Sequence, residues 1–94
     1  MQKFNSDELA VRLEKLQGWT YENGSIVKTF VFKDFKEAFA KMTQIAFEAE
    51  GLNHHPDWEN VYNRLTVRLN THDVGGITQN DFDLAERIEA IAEG

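Results

Sequence analysis

The chain has 94 residues, a formal net charge of −6, 41% apolar and 28% charged residues, and no cysteine. That size suits one domain over 1–94 with a single core and little stability in reserve, so self-association is expected. Disulfides and thiolate metal sites are excluded, no run approaches the ~18 apolar residues of a membrane span, and Met1-Gln2-Lys3-Phe4-Asn5-Ser6 lacks the apolar core of a secretory signal. A cytoplasmic protein is expected. Lys3, Lys15, Lys28, Lys33, Lys36 and Lys41 are scattered among acids. Without a basic face to meet phosphates, direct nucleic-acid binding is not expected.

Ser6-Asp7-Glu8 reads as a helix start, with Ser6 or Asn5 as cap and acids at the positive end of the dipole. Leu9, Leu13 and Leu16 recur at helical spacing and Gly18 stops the run, predicting a helix over about 6–17. Trp19-Thr20-Tyr21-Glu22 and the β-branched, aromatic run from Ser25 to Phe32 flank Asn23-Gly24. Asn-Gly accepts positive φ, so these two runs predict a hairpin.

Asp34-Phe35-Lys36-Glu37 reads as a reciprocal cap for a second helix running to about Glu50. Phe35, Ala38, Phe39, Met42, Ile45, Ala46 and Ala49 form its apolar stripe. Phe47 falls outside that stripe and is read as a subunit contact rather than chance exposure. Gly51 suits the residue after the helix end. Two strands follow, over about 57–62 and 65–71, the latter alternating Leu65, Val67, Leu69 with Thr66, Arg68, Asn70. After the loop Val74-Gly75-Gly76-Ile77, Thr78 and Asp81 are spaced as a helix cap, and Leu84, Ile88 and Ile91 share one face of a helix to about Glu93. The order is α-β-β-α-β-β-α, an α+β domain.

All three histidines and the only proline lie between Glu50 and His72. With Asn63-Arg64 as a two-residue loop, Tyr62 pairs with Leu65 and His55 falls opposite His72. Trp58 and Tyr62 then share the core side with Leu65, Val67 and Leu69. His55 and His72 take the open side, and His54 points the other way from His55. Glu50 could hydrogen-bond and tune an imidazole. Four readings compete: exposed turn histidines, a metal site of two His and one Glu, acid–base catalysis, and a protein-binding surface. The adjacent pair His54-His55 argues against a dedicated metal site, since ligands usually come at spacings that share a face. No Ser or Cys nucleophile motif and no phosphate-cradling glycine loop is present.

Glu50, His54-His55-Pro56, Tyr62, His72 and Asp81 closely resemble the signature of pterin-4a-carbinolamine dehydratases. Gly18-Trp19, Phe32-Lys33-Asp34-Phe35, Asn60-Val61-Tyr62-Asn63 and Gly76-Ile77-Thr78 also look like positions of that family. The resemblance spans nearly the whole chain. It implies a four-stranded antiparallel sheet with three helices on one face. It implies a lyase, dehydrating 4a-hydroxytetrahydropterin to quinonoid dihydropterin, which recycles the pterin used by aromatic amino-acid hydroxylases. It further implies a homodimer or homotetramer joined through the second helix, which would give Phe47 a use. No metal or redox cofactor is implied.

By carry-over, His54 and His72 are candidates for the acid at the 4a-hydroxyl. His55 is the candidate for pterin contact and proton removal, and Glu50 for orienting a histidine. Asp81 is read first as a helix-start acid and only second as a direct participant. Trp19 is read as packing, as is Trp58. A protein-binding module of coactivator or assembly-factor type on the same fold is the alternative that the resemblance leaves open.

Overall fold

In the computed structural model, which describes residues 2–94, each helix begins at a polar side chain that takes up free backbone N–H groups. Asn5 caps α1 (Ser6–Glu14), accepting from the Glu8 N–H, while the Glu8 carboxylate accepts from the Asn5 N–H. The helix ends at Glu14 rather than near 17. The N–H groups of Lys15 and Leu16 reach carbonyls three residues back, which tightens the last turn and drops Leu16 into the core.

Strands β1 (Thr20–Glu22) and β2 (Ser25–Val31) join through Asn23-Gly24, whose φ values of 49° and 84° are those a type I′ hairpin turn demands. Asp34 caps α2 (Phe35–Leu52) by accepting from the Glu37 N–H. The reciprocal bond shifts by one residue, since Glu37 accepts from the Lys33 N–H. Gly51 lies inside this helix, and the left-handed C-cap is Asn53, with φ 52°. Asn tolerates that conformation because its short polar side chain bonds locally.

The stripe expected on α2 divides. Ala38, Ile45 and Ala49 are buried, whereas Phe35, Phe39 and Ala46 are exposed with Phe47. At 100° per residue those four, with Thr43 and Glu50, share one outward arc of the helix.

Strands β3 (Asp57–Val61) and β4 (Arg64–Leu69) complete an antiparallel sheet of order β1-β2-β4-β3. Ile26 pairs with Leu69, Lys28 with Val67, Phe30 with Leu65, and Trp58 with Val67. These residues face α1, α2 and α3 (Gln79–Glu93), and the core forms between Leu65, Val67, Leu69, Ile45, Phe82, Leu84 and Ile88. The other side is polar. Thr29 and Thr66 hydroxyls lie 3.0 Å apart across it, and Arg68 meets Glu59 at 3.2 Å.

The β3–β4 turn is Tyr62-Asn63, one residue earlier than Asn63-Arg64, so Val61 rather than Tyr62 closes the ladder and pairs with Arg64. Tyr62 takes φ 52° and is exposed, not core. Two asparagines hold the turn. Asn60 Nδ2 donates to the carbonyls of Tyr62 and Arg64, and Asn63 Nδ2 donates to that of Phe32. The register moves by two residues, which preserves which side each β3 residue faces, so Trp58 still looks toward the helices. It also removes the expected His55–His72 pairing.

Leu65 is fully buried in a central strand, whereas Thr66 faces outward. Leu65→Ala is expected to cost about 2–5 kcal/mol in urea unfolding, and Thr66→Ala about 1 kcal/mol or less. Equal costs would contradict this assignment of sheet faces.

Candidate active site

The site forms where the end of α2, the entry to β3, the exit of β4 and the start of α3 converge. Asn53 turns the chain out of α2, and the His54 N–H bonds the Ala49 carbonyl. Pro56 disfavours helical geometry at His55. In an extended segment neighbours point to opposite sides, and the two adjacent histidines do so here. The His54 side chain is 10% exposed and that of His55 56%.

Each histidine meets a carboxylate through Nε2. His54 lies 2.5 Å from Asp81 Oδ1, and Asp81 is fully buried. Its other oxygen, Oδ2, accepts from the Thr78 N–H at 2.9 Å and from the Thr71 hydroxyl at 2.8 Å. Burying a carboxylate is costly unless hydrogen bonds replace its water, and three donors do so here. Among the described residues no buried side-chain N or O lacks a partner. An ionised carboxylate only accepts. With an ionised Asp81, His54 Nε2 is the donor of this bond, and Nδ1 is the ring nitrogen left free of it.

His55 Nε2 lies 2.6 Å from Glu50 Oε1, and this pair faces solvent, the Glu50 side chain being 76% exposed. Glu50 projects from the last turn of α2. It also borders an apolar recess of about 340 Å³ lined by Phe39, Met42, Ala46, Phe47 and the half-buried Trp58. Trp58 is thus core and recess wall at once. Trp19 is buried as expected, its Nε1 donating to Glu89 at 2.8 Å.

His72 lies beyond the end of β4, in a single 3-10 turn (His72–Val74), and is exposed. Its predecessor Thr71 is locked on both sides. The Thr71 carbonyl accepts from the N–H groups of Val74 and Gly75, and the Thr71 N–H donates to Gly76. The site residues thus fall into a buried pair, His54–Asp81, an exposed pair, His55–Glu50, and a loop histidine beside Thr71. Tyr62 lies at the far end of the β3–β4 hairpin. Among the described residues no three His, Asp or Glu side chains gather as a metal-ligand set.

Asp81 is the helix-start acid it was read as, and it also meets a histidine. It completes the capping box of α3 with Thr78, and its second oxygen holds His54. Thr71 carried no sequence signal of its own, because its link to Asp81 exists only once β4 and α3 are packed.

Fold and site together define an α+β sheet domain with two histidine–carboxylate pairs at one end. The family described as pterin 4 alpha carbinolamine dehydratase matches residues 2–91, and the chain belongs to that family. It is 52% identical, over 99% of its length and 96% of the relative's, to a protein of Christiangramia forsetii provisionally named a pterin-4-alpha-carbinolamine dehydratase. A Rhizobium meliloti protein of the same provisional name is also 52% identical, over 99% of this chain and 91% of that one. The crystal structure described as a transcriptional coactivator/pterin dehydratase from Brucella melitensis superposes with a TM-score of 0.94 at 41% identity, covering 97% of this chain and 99% of that one. A pterin dehydratase-like protein described as a RuBisCO assembly factor in the alpha-carboxysome shares the fold at TM-score 0.66 and 17% identity, over 79% of this chain and 86% of that one.

Asp81→Ala would leave the Thr78 N–H and the Thr71 hydroxyl without their acceptor and remove a helix cap, at an expected cost of about 1–3 kcal/mol. Glu50→Ala removes an exposed partner, at about 0.5 kcal/mol or less. Urea unfolding of both variants checks this, and similar costs would contradict the contrast in burial.

Proposed function

We propose that this protein is a carbon–oxygen lyase that dehydrates 4a-hydroxytetrahydropterin to quinonoid dihydropterin by histidine acid–base catalysis. Membership of the family supports the substrate and reaction. The observation that carries the chemistry is the two histidine–carboxylate pairs, each engaged through Nε2 with Nδ1 left over.

The reaction needs two proton movements. The C4a–O bond breaks as the hydroxyl takes a proton and leaves as water. The adjacent ring N–H gives up its proton, and its electron pair closes the C=N bond of the quinonoid product. Atoms and charge balance without any redox step. In this reading His54, as imidazolium, donates from Nδ1 to the leaving hydroxyl, and the buried Asp81 carboxylate stabilises the charged ring. His72 is the second candidate for that acid. His55 contacts the pterin and accepts the ring proton at Nδ1, while Glu50 orients the imidazole. A positioned acid or base of this kind typically contributes about 10²–10⁴ in rate. The activity would belong to cytoplasmic recycling of the tetrahydropterin that aromatic amino-acid hydroxylases consume.

The same reading makes the protein a homodimer or homotetramer through α2. Phe47 is 73% exposed and shares an outward arc with Phe35 and Phe39. A helix showing three phenylalanines to water has an apolar surface that a second copy would cover. That exposed arc also favours a second reading, a protein-binding module, since the Brucella relative is described as a coactivator as well as a dehydratase. Stoichiometric co-purification of a foreign protein would favour that reading.

His54→Ala, His55→Ala and His72→Ala are each expected to lower the dehydration rate by about 10²-fold or more while circular dichroism stays that of the wild type. Full activity in all three would contradict the proposal. Phe47→Asp is expected to lower the mass in light scattering without loss of secondary structure, and an unchanged mass would remove Phe47 from the contact.

A further inference from the structure

The His54–Asp81 pair does not end at the carboxylate. The Asn80 N–H donates to Thr78 Oγ1 at 3.3 Å, Thr78 Oγ1 lies 2.7 Å from Thr71 Oγ1, and Thr71 Oγ1 donates to Asp81 Oδ2 at 2.8 Å. Each hydroxyl has one proton to give. Thr71 gives its proton to the carboxylate, so Thr78 must give its own to Thr71, and Thr78 in turn accepts from Asn80. Every hydrogen in the chain then points one way, toward Asp81, and Asp81 faces His54.

We infer that Thr71 is a positioning residue for the dehydration, acting through Asp81 on His54 and through its backbone on His72; this rests on the dehydratase reading. Three features of the molecule support the role. Among the described residues Asp81 Oδ2 has two donors, the Thr78 N–H and the Thr71 hydroxyl. The Thr78 N–H belongs to the cap of α3, whereas the Thr71 hydroxyl ties Oδ2 to the end of β4, from which the His72 turn departs. That turn is pinned by the Thr71 backbone, whose carbonyl accepts from Val74 and Gly75 and whose N–H donates to Gly76. The Thr71 side chain thus acts with the Thr78 N–H to aim Oδ1 at Nε2. Its backbone places the other acid candidate.

A Thr that only fills space at a strand end would be replaced by Val with little consequence. Thr71→Val keeps the shape and removes the hydroxyl, leaving Oδ2 one donor short and the Thr78 hydroxyl without its acceptor. Long-range proton–nitrogen spectra of the ¹⁵N-labelled protein report which ring nitrogen carries the proton, with His54→Ala identifying the His54 signals. In the wild type the neutral His54 ring is expected as the Nε2–H form.

In Thr71→Val the His54 signals are expected to shift toward a mixture of tautomers. The kcat is expected to fall by about tenfold with KM changed by less than about twofold, and Thr71→Ser is expected to restore both. Should Thr71→Val fail to fold by circular dichroism, Thr71→Ala, which places no methyl against the Thr78 hydroxyl, is read by the same two measurements. A neutral wild-type His54 ring protonated on Nδ1 alone, or a folded Thr71→Val with wild-type ring signals and kcat, would overturn the inference. A wild type that dehydrates nothing but loses its His54 tautomer in Thr71→Val would support the positioning role while defeating the dehydratase reading.

Discussion

A carboxylate with no access to water governs this structure. Asp81 is fully buried, and the energetic demand of that burial is met by a backbone N–H, a hydroxyl and an imidazole from three separate parts of the chain. The start of α3, the exit of β4 and the segment after α2 must therefore arrive together. The interaction that begins a helix is also the one that orients His54. The site is thus not an addition to a finished scaffold: disturbing the geometry at Asp81 disturbs the cap, and disturbing the cap loosens the imidazole.

The two histidine–carboxylate pairs are nearly equal in length, 2.5 and 2.6 Å, and differ in surroundings. Around His54 there is little water to compete, so its hydrogen bond fixes the ring orientation. Around His55 water competes and the pair is weak in isolation. A reaction that delivers one proton and removes another benefits from such asymmetry, with one group held in advance and one free to adjust as substrate enters. Glu50 stands at the junction of two surfaces, since it holds His55 and borders the recess beneath Phe47.

Much of this was legible in the chain, for identifiable reasons. Asn23-Gly24 and the Thr78–Asp81 spacing are local signals whose geometry needs no tertiary partner, and both form as read. The opposite facing of His54 and His55 follows from two neighbours in an extended segment. The Tyr62-Asn63 turn was not legible, because it places left-handed backbone on an aromatic residue, and what stabilises it is remote: Asn63 reaches the Phe32 carbonyl on β2. That shift is what takes His72 out of register with His55. The division of the α2 stripe was hidden for a related reason. Periodicity reports an apolar face, not what covers it, and half of this face meets the sheet while Phe35 and Phe39 do not. Thr71 was silent because its partners are assembled only by the packing of α3 against the end of β4.

The most direct test is a time course. The 4a-hydroxytetrahydropterin is generated enzymatically, and its conversion to quinonoid dihydropterin is followed in the ultraviolet with and without the wild-type protein at catalytic concentration. The account predicts an acceleration proportional to protein concentration and sustained over many turnovers. Conversion at the uncatalysed rate in the presence of folded protein would contradict it.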